Sequence, residues 1–379
     1  MRLIVNTGTV LKGGGLQVAN SFIQELKNIP EHEYHIFLSK TIAKQIDRSS
    51  FPYNFHFYDI PLRPGSGFGA YTKMNKLFQQ LENAIKPDAV FTTSGPSYWR
   101  PKAPHVMGFN LPHFVYPESP YMENISLYRK LRWKLKTLSW KQLFIKQTDA
   151  LVVQTDDVKE RAKKLFNIEN VFTVSNTCSA HYYNSKEFPD KLPKRSEGEI
   201  RLICISSFYY HKNLTVINKL IPILERDGLN NIRFILTLPD DVFQKEFTEE
   251  AKKKIYNVGH VKVEECPSLY KETDILFLPT LLECFSASYP EAMLMQKPIL
   301  TTDMSFARTV CEDAAIYFDP MDPEDIVSKI KLLLDSKELQ QELIEKGLKR
   351  VKDFNSAGER AQAYLKICDS FAKNGSYKD

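Results

Sequence analysis

A chain of 379 residues is too long for one ordinary hydrophobic core and long enough for two. Its hydrophobic fraction of 43% and charged fraction of 26% are those of a globular protein, and no stretch reaches the roughly 18 apolar residues of a membrane span. A net charge of +5 and a pI near 8.6 suit anionic ligands or an anionic membrane surface, and no zinc-finger or RNA-binding signature points to nucleic acid. The six cysteines are scattered without a close pair, so reduced thiols without a disulfide or metal framework are expected. The apolar run at the start is too short for a signal peptide, which predicts a cytoplasmic protein.

Leu3, Ile4 and Val5 read as a buried strand that runs into Gly13, Gly14 and Gly15, after which Leu16, Val18, Ala19, Phe22 and Ile23 recur at helical spacing. Strand, glycine loop and helix is a layout that lets backbone approach a phosphate closely, although a flexible turn would look the same. It is neither the Gly-x-Gly-x-x-Gly fingerprint nor a Walker loop. Strands are predicted over 34–38, 54–58 and 88–91, with a helix over 71–85, and this alternation argues for a parallel sheet covered on both faces. The loops 63–69 and 92–97 lie at strand ends, where such sheets carry ligands; they either touch a ligand or only turn the chain. From His105 to Pro117 a polar cluster containing Asn110 and His113 leaves an apolar strand and reads as one wall of a ligand site, with a structural histidine as the alternative.

On a helical projection of residues 127–145, Leu127, Leu131, Leu135, Leu138 and Ile145 share one face, expected to pack on the domain. Trp133, Trp140 and Phe144 share a second face flanked by Arg129, Lys130, Lys136 and Lys141. Tryptophan beside basic residues is the pattern of a helix at a membrane interface, the alternative being that both apolar faces are buried. A strand over 149–155 ends at a helix cap supplied by Thr155 or Asp156, and 171–174 closes the first sheet. Residues 186–199 are polar and proline-bearing and read as a linker, which gives a first domain over 1–185.

A second domain over 200–354 opens with a strand over 200–205 and leads through Ser207 to His211 and Lys212. Further strands are expected over 232–238, 274–279, 298–302 and 314–318. Between Pro279 and Pro298, Glu283 and Glu291 stand eight residues apart, one on a loop and one inside the following helix. With about 1.5 Å rise per helical residue, both carboxylates can face one crevice. Phe285, Ser286 and Ala287 would expose the first free N–H groups of that helix to a phosphate or a sugar hydroxyl; acidic residues near a helix start also occur for dipole reasons alone.

The stretch from Glu283 through Glu291 to Asp303 resembles the Glu-x7-Glu signature of glycosyltransferase family 4, retaining nucleotide-sugar transferases with the α/β GT-B fold of two Rossmann-like domains facing across a cleft. The resemblance runs over nearly the whole chain and is strongest over 200–319. It implies that Glu283 meets a hydroxyl of the donor sugar and Glu291 the ribose, and that Gly13 to Gly15 and Lys212 face the diphosphate. Ser207 stands where relatives carry an arginine, one cation fewer for the phosphates. Asn110 falls where relatives often place a histidine, and His113 lies three residues on, so the acceptor-side catalytic residue is left between them. The resemblance further implies a last helix within 355–379 that returns to the first domain, and chemistry without a cofactor or metal, in keeping with the lack of an Asp-x-Asp pair. The expected activity is sugar transfer from a nucleotide-diphosphate sugar to a glycan or lipid-linked acceptor in surface polysaccharide assembly, with peripheral contact with the inner face of the membrane through Trp133 and Trp140. A nucleotide-sugar hydrolase or epimerase, or a non-catalytic sugar-binding protein, are the competing readings.

Overall fold

A computed structural model describes all residues except 12, 62–68, 185 and 376–379. Lys12 and most of the 63–69 loop therefore lie outside the described residues. The chain forms two compact units, the first comprising 1–115, 126–176 and 355–379 and the second 116–125 and 177–354.

The first unit is built on seven parallel strands: β1 (Arg2–Asn6), β2 (Glu33–Ser39), β3 (Phe55–Ile60), β4 (Ala89–Thr92), β5 (His105–Gly108), β6 (Ala150–Val153) and β7 (Val171–Thr173), in the order β3-β2-β1-β4-β5-β6-β7. Successive side chains leave a strand on opposite faces, and here both faces are buried. Leu3 and Val5 point into a core shared with Phe22 and Ile23 of the Gly14–Glu25 helix, while Ile4 points into another shared with Met74 and Phe78 of the Ala70–Ile85 helix. The first core is closed by the Ala357–Asn374 helix, which contributes Ala361, Tyr364, Leu365, Cys368 and Phe371. Ser356 starts that helix with a capping box to Glu359. Buried Arg360 ties it down by donating to Asn176 Oδ1 and, at 2.9 Å, to Ser21 Oγ.

The Leu127–Gln147 helix corrects the projection made from sequence. Its aromatic face, not its leucine face, packs on the unit. Phe144 is fully buried between Phe109 and Phe166, Trp140 stacks on Phe114 with ring centroids 5.7 Å apart, and Trp133 stacks on His113 at 4.4 Å. Leu127, Leu131, Leu135 and Leu138 are 83%, 58%, 59% and 56% exposed. Both faces are apolar, so periodicity cannot rank them. The rings hold the inner position because they bury more area per side chain and meet other rings there.

The second unit has six parallel strands: β8 (Ile200–Cys204), β9 (Ile232–Leu236), β10 (Ile255–Asn257), β11 (Ile275–Leu278), β12 (Ile299–Thr302) and β13 (Ala315–Phe318), in the order β10-β9-β8-β11-β12-β13. β11 is a continuous apolar run, and every residue of β11 and β12 and all but the first of β8 are buried, as in strands covered by helices on both faces.

Candidate functional site

Winding in the second sheet reverses between β8 and β11, and at such a point the loops leaving the carboxyl ends of the two strands diverge and open a crevice. The 205–212 and 279–287 loops are also fastened together. Leu281 N donates to His211 O at 2.7 Å, and Ser119 Oγ holds the next carbonyl, Leu281 O, at 2.7 Å. This clamp brings Lys212 and Glu283, 71 residues apart, into an ion pair whose two side chains are only 16% and 14% exposed. Thr280 Oγ1 stands 3.4 Å from the same carboxylate. Burial, and then the neighbouring Lys212 ammonium, lower His211 to about 4, so its imidazole is neutral at pH 7.

Glu291 follows on the Ser288–Leu294 helix. Part of the residue reaches solvent, but its carboxyl group lies deep, and burial pushes it up to about 7 against the opposing pull of the Tyr182 and Tyr270 hydroxyls. Both hydroxyls are buried, and neither completes a hydrogen bond of normal geometry. Tyr182 lies on the short turn Ala180–Tyr182 and packs edge-on against Tyr270, at 5.9 Å, from the Cys266–Lys271 helix. The Glu291 carboxyl and the two tyrosine hydroxyls thus share one buried polar corner.

The first sheet reverses between β1 and β4. Gly108 permits a close crossing there, because a Cβ on it would lie 2.3 Å from Thr93 O. The crossing sets Ser94 Oγ 2.8 Å from Asn110 Oδ1, and Thr9 Oγ1 donates to Ser94 O at 3.1 Å. Gly13, at φ +74°, starts the adjoining helix in the left-handed region that favours glycine, and a Cβ on Gly15 would come 3.4 Å from Asn110 Nδ2.

The family model described as Glycosyl transferases group 1 matches residues 185–350. Those residues form a glycosyl transferases group 1 domain. Lys212, Glu283 and Glu291 all fall inside it. No curated protein matches the chain. Among solved structures, the chain is similar to sucrose-phosphate synthase from Thermosynechococcus elongatus at 13% identity, over 99% of this chain and 100% of that one, with a TM-score of 0.73. It is similar to Anabaena HepE in complex with UDP and glucose at 11% identity, over 98% and 100%, with a TM-score of 0.72. It is also similar to WaaG, a glycosyltransferase involved in lipopolysaccharide biosynthesis, at 14% identity, over 97% and 99%, with a TM-score of 0.68. At these identities the likeness establishes the fold, two Rossmann-like units of GT-B type.

The residues singled out from sequence divide between the units. In the group 1 domain, Lys212 and Glu283 meet directly, and Glu291 sits on the helix that follows. Phe285 packs its ring edge-on against Phe354 at 5.6 Å, Ser286 is buried, and Ala287 precedes the helix without a capping side chain, so any ligand contact there falls to the backbone. Ser207 is exposed, and its carbonyl accepts from Ser206 Oγ at 2.9 Å. In the first unit, Gly13, Gly14, Gly15 and Asn110 gather at the reversal, whereas the ring of His113 is engaged by Trp133. Sequence reasoning missed Tyr182, Tyr270 and Ser94. For the tyrosines no local signal existed, because one follows the first sheet and the other sits on the Cys266–Lys271 helix, far along the chain.

Proposed function

We propose that the chain is a retaining, metal-independent glycosyltransferase that moves a sugar from a nucleotide-diphosphate sugar to an acceptor hydroxyl of a glycan or lipid-linked glycan. The observation that carries the reading is the clamped Lys212–Glu283 pair at the reversal of the second sheet. A diphosphate competes with Glu283 for the Lys212 ammonium. Once Lys212 turns to the phosphate, Glu283 is released to accept a hydrogen bond from a sugar hydroxyl. As the bond from the sugar to the diphosphate breaks, negative charge builds on the leaving group, and Lys212 stabilises it there. Glu291, with Tyr182 and Tyr270, takes the two ribose hydroxyls. In the first unit the Gly13 to Gly15 amides suit an anion, and Asn110 suits a hydroxyl. The complex of HepE with UDP and glucose supports UDP as the first nucleotide to test.

The test incubates purified protein with UDP-, GDP- and dTDP-sugars, with and without glycan acceptors, and reads the products by mass spectrometry and the anomeric configuration by NMR. An acceptor-dependent product of retained configuration is expected. Donor hydrolysed or epimerised at full rate without acceptor would instead identify a hydrolase or epimerase, and tight donor binding without turnover a binding protein.

The proposal includes an acceptor held at the cytoplasmic face of an anionic membrane, through a surface other than the one expected from sequence. Trp133 and Trp140 are occupied by the protein, and Lys136 lies over both rings at 4.5 and 4.1 Å. The opposite face offers Leu127, Leu131, Leu135 and Leu138, and the helix carries seven Lys and Arg and no Asp or Glu. A leucine stripe among cations fits the headgroup boundary of an anionic bilayer, each basic residue near the surface adding about 1 kcal/mol. Among the described residues no helix is long and apolar enough to cross a membrane. Flotation with phosphatidylglycerol vesicles should be lost when Leu131, Leu135 and Leu138 are changed to serine, with thermal stability unchanged. Equal flotation of the variant would remove this part of the proposal.

A further inference from the structure

At the other end of the first sheet, strands β2 and β3 bring together three ligating side chains that sugar transfer does not use. The strands are parallel, with His35 opposite His56, and β3 is the sheet edge. Glu33, the first residue of β2, points its Oε1 to both histidines, 3.0 Å from His35 Nε2 and 3.4 Å from His56 Nε2. The donor atoms all lie within 4.8 Å of one another. We propose that Glu33, His35 and His56 form a binding site for one divalent transition-metal ion of the zinc class, completed by water.

The separations suit such an ion. Zinc takes nitrogen and carboxylate oxygen at about 2.0–2.2 Å, which in a tetrahedron sets neighbouring donors about 3.3–3.6 Å apart. The observed 3.0 and 3.4 Å lie close to this range, and the two imidazoles, stacked with centroids 4.7 Å apart, turn their nitrogens toward the carboxylate oxygen to share one ion. Two imidazoles and a carboxylate are a donor set that selects such ions over calcium or magnesium.

The surroundings hold the set in place. Tyr58 Oη lies 3.0 Å from His35 Nδ1, and this contact serves either tautomer. When Nε2 gives up its proton to receive the metal, Nδ1–H donates to Tyr58 Oη and the ring remains neutral, the outer-shell bond by which ligating histidines are oriented. Arg2 Nε donates to the other Glu33 oxygen at 3.1 Å, leaving Oε1 for the ion. A cavity of about 290 Å³ lined by Arg2, Glu33, His35, Tyr58 and Leu81 leaves room for the water. A metal here would pin β3 to β2 at the sheet edge, away from the loops at the carboxyl ends of the strands.

The full-length protein, stripped with chelator and exchanged into buffer at pH 7.5, is titrated with Co²⁺ and then Zn²⁺. One Co²⁺ per chain is expected, with the visible absorption of four-coordinate cobalt, displaced by one equivalent of Zn²⁺. His56→Ala and Glu33→Gln should each weaken zinc binding at least tenfold. Both side chains are well exposed, at 44% and 39%, so the metal-free variants should melt close to the metal-free wild type, which thermal unfolding checks. Failure of the wild type to bind stoichiometrically overturns the inference, as does a cobalt spectrum and zinc affinity that survive both substitutions.

Discussion

The two sheets reverse their winding in the same way, yet the chemistry gathered at the two reversals differs. Among the described residues, the neighbours in the first unit are Thr9, Ser94, Asn110 and three glycines, all neutral. In the second they are a half-hidden ion pair, a neutral histidine and a carboxyl that titrates near 7. One topology therefore serves two tasks. Under the proposed function the charged reversal meets the charge that develops during reaction, and the neutral one offers only backbone amides and uncharged side chains. On this contrast, substitutions in the second unit should lower the rate strongly and shift the pH dependence, and those in the first should lower the rate less and leave the pH profile in place.

The largest effect is expected at Lys212. Lys212→Ala removes the cation proposed to meet the leaving diphosphate, and kcat/KM should fall about 10²–10³-fold, the loss that follows removal of one group stabilising developing charge. A fall of less than about fivefold would place the decisive charge elsewhere. The next effect is on stability. The folded chain keeps the Glu291 proton up to about pH 7, whereas an unfolded glutamate releases it near 4.5. The folded state therefore binds more protons across that interval, and this contribution, present in full below about 4.5, is lost as pH rises through 7, an effect of about 3 kcal/mol at most. Urea unfolding at pH 5 and pH 8 should show a smaller difference for Glu291→Gln than for wild type. Parallel losses would mean that Glu291 is not the titrating group. The smallest effect belongs to the neutral reversal: Asn110→Ala, measured as kcat/KM against pH, should lower the rate roughly tenfold or less, in the range of one neutral hydrogen bond, without displacing the profile.

Much of this was legible in the sequence because it is carried by local pattern. A four-residue apolar run between turn signals, such as that of β11, reads as a strand buried on both faces, and the alternation with helices argues for a parallel order. The spacing of Glu283 and Glu291, with Lys212 after its strand, was also local. What was hidden depended on tertiary choice. Nothing in the sequence says that Lys212 closes on Glu283, since the clamp runs through the His211 carbonyl and Ser119. The Tyr182–Tyr270 corner joins residues 88 positions apart, and the metal-ligating set depends on the register of β2 against β3. The Leu127–Gln147 helix shows the limit most plainly: two apolar faces satisfy the same periodicity, and only the rings waiting at Phe109, Phe114 and Phe166 decide which turns inward.

The central claim is that the second unit grips a nucleoside diphosphate through Lys212 and Glu291. Isothermal titration of UDP, GDP and dTDP into the wild type, Lys212→Ala and Glu291→Gln tests it most directly. One of the three nucleotides should bind the wild type at one per chain, and each substitution should weaken it at least tenfold. Binding of equal strength in all three proteins, or no binding of any of the nucleotides to the wild type, would contradict the claim.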